Sequence, residues 1–109
     1  MKLPQDSIIT DKKLTHYLLI PKKRNDKSKW LNKNGYSLNN WKRLQTDIRN
    51  QVLPKNAVYL ETNEYGNLYK IDTTIETPSD RRMSVSSVWM TEKYSGITKF
   101  ITMYPMKKE

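Results

Sequence analysis

The chain has no cysteine, a single histidine, three glycines in 109 residues and no long apolar run. Without cysteine, disulfides and thiolate zinc sites are excluded, and folding requires no oxidising compartment. One histidine cannot supply a zinc site of the H-x-x-x-H kind. The glycines form neither G-x-G-x-x-G nor G-x-x-x-x-G-K-[ST], so the common nucleotide-cofactor cradles are missing. No serine sits in a G-x-S-x-G elbow either. No stretch is long enough to span a bilayer, and the start, "MKLPQDSIITDKK", lacks the basic-then-apolar layout of a secretory leader. The expectation is a single domain over 1–109 with no cofactor, no metal and no membrane partner, acting in a cytoplasm.

Acidic residues are also scarce, but only in one half. Residues 1–55 hold 13 lysines and arginines against 4 acids, and residues 56–109 hold 7 against 7. The whole net charge of +9 therefore lies in the first half. Uniform basicity speaks to solubility, whereas a lopsided excess suits a polyanionic partner such as RNA. Solvated lysine-rich helices are the plain alternative.

The hydrophobic period changes at the same point. Residues 1–54 read as helical and 56–105 as strands, the segregated order of an α+β domain. In "TDKKLTHYLLI", Thr10 or Asp11 suits an N-cap, Leu14, Tyr17 and Leu18 form the apolar stripe, and Pro21 ends the helix. A basic loop, "PKKRND", follows. "DKSKWLNKN" predicts a second helix, with Asp26 as cap and Gly35 as left-handed terminator. A third begins at Ser37, places Leu38, Trp41, Leu44, Ile48 and Val52 on one face, and stops at Pro54. From Ala57 the period is two. "AVYLET" and "NLYKIDTTIE" flank the turn "NEYG", and "RMSVSSVWMTE" and "GITKFITMYP" are joined across "KYSG". Simple alternation in the last strand puts Ile97, Ile101 and Met103 on one face and Phe100, Thr102 and Tyr104 on the other. The expected architecture is about three N-terminal helices packed on one face of a four-stranded antiparallel sheet. The opposite face is then free to hold a site.

Magnesium-dependent nuclease patterns fit poorly. Asp11-Lys12-Lys13 matches an acid-x-Lys by letters only and lies on a helix, and Asp72 and Glu76 read as solvent-facing strand charges. What the residues permit is metal-free RNA cleavage. RNA carries its own nucleophile, the 2′-hydroxyl, so a protein needs only a base, an acid and cations for the phosphorane charge. Histidine suits acid–base work near neutral pH, which draws attention to His16 with Lys12 and Lys13 beside it.

The order "K-L-T-H-Y-L-L", "K-S-K", "N-G-Y-S-x-N-N-W-x-x-L", "Y-G-N-L-Y-K", a strand with "V-W", then "I-T-M-Y-P" resembles a bacterial polymorphic-toxin C-terminal domain family of unknown function. The resemblance runs from about Leu3 to Pro105. Such domains end large secreted toxins or stand alone, and their layout is similar to the barnase, EndoU, colicin and RelE group of small ribonucleases. The resemblance implies a ribonuclease toxin of cytoplasmic RNA such as tRNA, delivered as the C-terminal part of a secreted protein and checked by an acidic immunity or antitoxin protein. It points to Lys13, Tyr17, Lys29, Thr102 and Tyr104 as catalytic residues. His16 joins them on its chemistry and not on the resemblance. Where the family shows a glycine before "SK", this chain has Asp26-Lys27.

Lys12, Lys22, Lys23, Arg24, Lys27, Trp30, Arg81 and Arg82 are the candidates for RNA contact. Each residue also has an ordinary reading. His16 and Lys29 suit a solvated helix face, Tyr17 fits the core stripe, and Thr102 and Tyr104 suit a mixed sheet face. Trp30 flanks the basic loop and can stack or pack, Trp89 reads as core, and Arg81-Arg82 suit a charged loop end. A non-enzymatic RNA-binding module and a basic protein-interaction domain are the competing functions.

Overall fold

The computed structural model describes residues 1–24 and 26–106. Helix α1 starts at Asp11–Lys13 and runs on as a wider π-helical turn, Leu14–Leu18. Helix α2 is Ser28–Lys33. Helix α3 begins with a 3₁₀ turn, Leu38–Asn40, continues as Trp41–Asp47, and widens into a π-helical segment, Ile48–Val52. Strands β1 (Val58–Thr62), β2 (Gly66–Glu76), β3 (Arg82–Glu92) and β4 (Thr98–Pro105) form an antiparallel sheet in the order β1-β2-β3-β4. This is the α+β arrangement expected from the sequence.

Local chemistry explains where the helices start and stop. The Asp26 carboxylate accepts from the backbone N–H of Ser28 at 2.9 Å and so caps α2. Gly35 ends α2 at φ +91°, with the Tyr36 N–H reaching back to the Leu31 carbonyl at 3.0 Å. A Cβ at Gly35 would also meet the Ser79 nitrogen at 2.9 Å. At the start of α3 the Asn40 side chain accepts from the Ser37 N–H at 2.7 Å and donates to the Gly35 carbonyl at 2.8 Å. The start of α1 differs from expectation. Thr10 makes no side-chain cap, and the Asp11 carboxylate accepts instead from Gln45 of α3 at 2.8 Å. A tertiary contact takes the place of the local one.

One sheet face carries the core. In β3, Met83, Val85, Ser87 and Trp89 are buried, and across the register they join Ile71 and Ile75 of β2 and Phe100 and Met103 of β4. Leu14, Leu18, Leu31, Leu44, Ile48 and Val52 of the helices belong to the same cluster. Leu38 does not; it is 45% exposed, because the 3₁₀ turn rotates it off the α3 stripe. The other face carries Lys70, Asp72, Ser84, Ser86, Val88, Met90, Thr102 and Tyr104.

The face assignment in β4 needs a second correction. Val88 pairs with Thr102 but Trp89 pairs with Phe100, so Ile101 is an extra residue. This bulge breaks the alternation. Phe100 turns into the core with Met103, while Thr102 and Tyr104 stay on the open face. Ile97 lies before the strand and is exposed.

The chain ahead of α1 runs parallel to β4. Ile8 bridges Lys99, donating to the Thr98 carbonyl and accepting from the Phe100 N–H, both at 2.8 Å. Helix α3 fastens this segment. Arg49 donates to the carbonyls of Gln5 at 3.0 Å and Ser7 at 2.9 Å, and Gln45 donates to that of Ile9 at 2.8 Å. Because the two segments share a direction, moving on from Ile8 into α1 carries Tyr17 alongside the part of β4 beyond the bulge.

Candidate functional site

Tyr17 packs its ring against the core and sends its hydroxyl to the edge of β4. There the phenol oxygen lies 3.2 Å from the Thr102 hydroxyl. The Lys27 ammonium donates to both, at 2.9 Å to Tyr17 and 2.8 Å to Thr102. Three elements far apart in sequence thus meet at one point: α1, the residue just before α2, and β4 beyond its bulge.

Donor counting shows what this cluster can accept. An ammonium has three N–H donors and no acceptor, and Lys27 uses two on the hydroxyls. Of the two hydroxyl hydrogens, one serves the Tyr17–Thr102 contact. One N–H and one O–H remain, and neither has a partner within the cluster. Two spare donors beside a positive charge are the chemistry that suits an anion.

More positive charge surrounds the phenol. The Lys22 ammonium lies 3.8 Å from the Tyr17 ring centroid, Lys27 5.1 Å and Lys13 5.6 Å. Among the described residues, none of these three forms an ion pair with a carboxylate. Partial burial opposes ionisation of Tyr17. The hydrogen bonds from Lys27 and Thr102, with the charges of Lys27 and Lys22, outweigh it and lower the phenol below its ordinary pKa. Asp26, the acid nearest in sequence, is turned to structure: it accepts from the Ser28 hydroxyl at 2.5 Å as well as the Ser28 N–H. Those bonds, the first chief among them, and the charge of Lys29 keep its carboxyl below the usual carboxylate range.

Of the expected catalytic residues, the structure brings Tyr17 and Thr102 together and sets Lys13 beside them. Tyr104 stands two residues along β4 on the same open face, half-buried. His16 and Lys29 lie outside the cluster. The His16 ring is exposed and bonds only to the neighbouring Thr15 hydroxyl, at 2.7 Å. Lys29 is exposed on α2, and Lys27 occupies the position by Tyr17.

The sequence carried a signal for that exchange. Residues two apart do not share a helix face, so "K-S-K" can turn only one lysine toward the sheet. Leu31 is fully buried, and Lys27, four residues before it, lies on its side of the helix.

Among the expected RNA contacts, Lys22 flanks the cluster, with Lys12, Lys23 and Arg24 exposed nearby in sequence. Trp30 packs against the core. Arg81 and Arg82 stand at the far end of β3, and Arg82 pairs with Glu76 at 3.4 Å. Arg82 is six residues from Val88, the partner of Thr102, or about 20 Å along the strand. Asp72 is likewise engaged, with Lys70 at 3.3 Å. No three His, Cys, Asp or Glu side chains gather to hold a metal ion among the described residues, and no helix there is long and apolar enough to cross a membrane.

A family model described as a domain of unknown function (DUF6883) matches residues 2–107. No curated protein and no solved structure matches the chain.

Proposed function

The chain belongs to this DUF6883 family, and from the Tyr17–Lys27–Thr102 cluster we propose that it is a metal-independent endoribonuclease. The observation that carries the reading is the pair of spare donors beside an acidified phenol, ringed by lysines that have no carboxylate partner among the described residues. A phosphodiester of RNA fits it, because RNA supplies the nucleophile and asks only for a base and for positive charge.

In this mechanism the Tyr17 phenolate takes the proton of a ribose 2′-hydroxyl. The 2′-oxygen forms its bond to phosphorus while the third Lys27 N–H donates to the phosphorane oxygens, joined by the Thr102 hydroxyl as the reprotonated phenol releases it. The bond from phosphorus to the 5′-oxygen breaks, and that oxygen takes a proton from the ammonium of Lys13 or Lys22. The products are a 2′,3′-cyclic phosphate and a 5′-hydroxyl end. The same reading places the action on cytoplasmic RNA such as tRNA. It makes the chain a toxin domain delivered as the C-terminal part of a secreted protein, with an acidic immunity or antitoxin protein as partner; the one-sided charge of the first 55 residues supports a polyanion and an acidic partner alike.

The test is incubation with total tRNA and with a defined oligonucleotide in excess chelator. Cleavage is expected to persist, to leave cyclic phosphate ends, and to spare an oligonucleotide with deoxyribose at the cleaved position. Equal cutting of the deoxy substrate, or loss of activity in chelator, would sink the mechanism. RNA that is bound but left intact would turn the assignment to a non-enzymatic RNA-binding module. An absence of binding in moderate salt would leave a basic protein-interaction domain.

A further inference from the structure

A site that grips only a phosphate cannot tell paired from unpaired nucleic acid. The Tyr17 ring gives no help, because the Lys22 ammonium sits 3.8 Å from its centroid and occupies a ring face. The nearest other aromatic on the open face is Tyr104. It follows Thr102 by two residues on the same side of β4, about 6.6 Å along the strand. Ordinary alternation beyond the bulge at Ile101 puts both residues on this face, while the bulge turns Phe100 away from it.

The neighbours of Tyr104 on this face are known from the register. Its direct cross-strand partner is Ser86, which is only 4% exposed although no helix covers this face. Ser84, one row away, and Asp72, paired with Ser86 on its other side, are both exposed. A serine on an open face is covered by its neighbours, and Tyr104 is the largest of them. With Ser86 covered and Tyr104 itself only half-buried, a Tyr104 ring laid over Ser86 would keep one side open to solvent. Val88 and Met90, both half-buried, continue an apolar strip on this face, and Lys70 stands beside Val88.

We propose that Tyr104 is a nucleobase-stacking platform next to the phosphate site, so that the ligand of this face is an unpaired nucleotide of single-stranded RNA. The inference rests on the ribonuclease reading for the identity of the anion, but it concerns binding and is tested without cleavage. A flat aromatic face one ribose away from a cationic phosphate clamp takes a base by stacking, as in other single-strand readers. A duplex cannot enter, since its bases are stacked on one another and closed to the ring. In this arrangement Tyr104 is a specificity-determining residue, while Lys27 and Thr102 hold the phosphate whatever the base.

The experiment measures fluorescence anisotropy of the intact chain with two uncleavable probes of equal length. One is a single strand carrying 2′-O-methyl groups throughout; the other is the same backbone with abasic sugars. The wild type is expected to bind the base-bearing strand roughly 10-fold more tightly, the scale of one base–aromatic stack. Tyr104→Phe keeps that preference. Tyr104→Leu, which still covers Ser86, loses it, and Lys27→Ala weakens both probes alike. Retention of the preference in Tyr104→Leu, or its loss in Tyr104→Phe, would overturn the platform. A wild type that binds both probes equally would overturn it too. If the preference follows Tyr104 but RNA is never cleaved, the platform stands and the nuclease assignment falls.

Discussion

At the scale of single residues, the consequential group is the Tyr17 phenol, because its ionisation is set by neighbours and not by its own chemistry. Replacing it with Phe removes the proposed base and leaves the ring's packing against the core. Turnover is expected to fall about 10²–10⁴-fold with little change in the affinity for uncleavable RNA. The pH dependence has a definite sign. A base must be deprotonated, so the rate rises with pH toward a phenol pKa that lies below the ordinary one. Lys27→Met removes the strongest of the lowering influences, and the rising limb is expected to move to higher pH, together with the tyrosinate absorbance titration. The linkage to stability runs in the same direction. A lowered folded pKa stabilises the fold fully only above the unfolded value, about 10, and that contribution is lost as pH falls through the folded one. By contrast, His16→Gln and Lys29→Ala are expected to leave turnover within about 2-fold of wild type, because both residues are exposed and away from the cluster.

At the scale of elements, the α2–α3 corner holds the helical layer together without touching the site. The Tyr36 hydroxyl donates to the Asp47 carboxylate at 2.6 Å, and the Arg43 Nε donates to the same oxygen at 2.8 Å. Burial, and then the hydrogen bond to Asp47, push the Tyr36 phenol well above its ordinary pKa, so it remains a donor at all working pH values. Tyr36→Phe leaves a buried carboxylate one donor short and is expected to cost about 1–3 kcal/mol in urea unfolding, with RNA affinity per folded molecule unchanged. The elements also show which local signals were legible. The Asp26 cap, the Gly35 terminator and the Ser37 start of α3 were readable because each depends on residues within five positions. The bulge in β4 was not readable, because an extra residue in a strand shows only against its partner strand. It moved Phe100 to the opposite face from Thr102, so the open face carries Thr102 and Tyr104 without Phe100 beside them.

At the scale of the molecule, the charge excess of the first 55 residues is left largely unpaired among the described residues. Three of the four ion pairs among the described residues lie in the sheet, at Lys70–Asp72, Arg82–Glu76 and Lys99–Glu92, and only Arg43–Asp47 lies in the helical half. Among the described residues, the basic side chains around α1 and the loop before α2 therefore have no acidic partner, which suits the proposed polyanion. Binding of a single strand is expected to weaken with salt, with the log–log slope falling by about 0.7 for each of Lys13, Lys22 and Lys27 changed to Ala. Arg82→Ala should leave the slope unaltered, since Arg82 is already paired and lies at the far end of the sheet. An equal fall for Arg82→Ala would place the nucleic-acid track elsewhere.

The sequence by itself determined the order of helices and strands, the turns between them, the half of the chain that carries charge, and the kinds of site that cysteine, glycine and histidine scarcity exclude. Those features follow from local periodicity, caps and composition, which need no distant partner. Only the tertiary structure decided that Lys27 and not Lys29 meets Tyr17, that His16 stands apart, and that Thr102 turns away from the core. Each of these depends on a contact from outside the segment: the parallel run of Ile8 beside Lys99, the hold of Gln45 and Arg49 on the N-terminal segment, and the register against β3 that makes Ile101 an extra residue. A cluster whose members are 10 and 75 residues apart, as Lys27 is from Tyr17 and Thr102, has no period in the chain that could announce it.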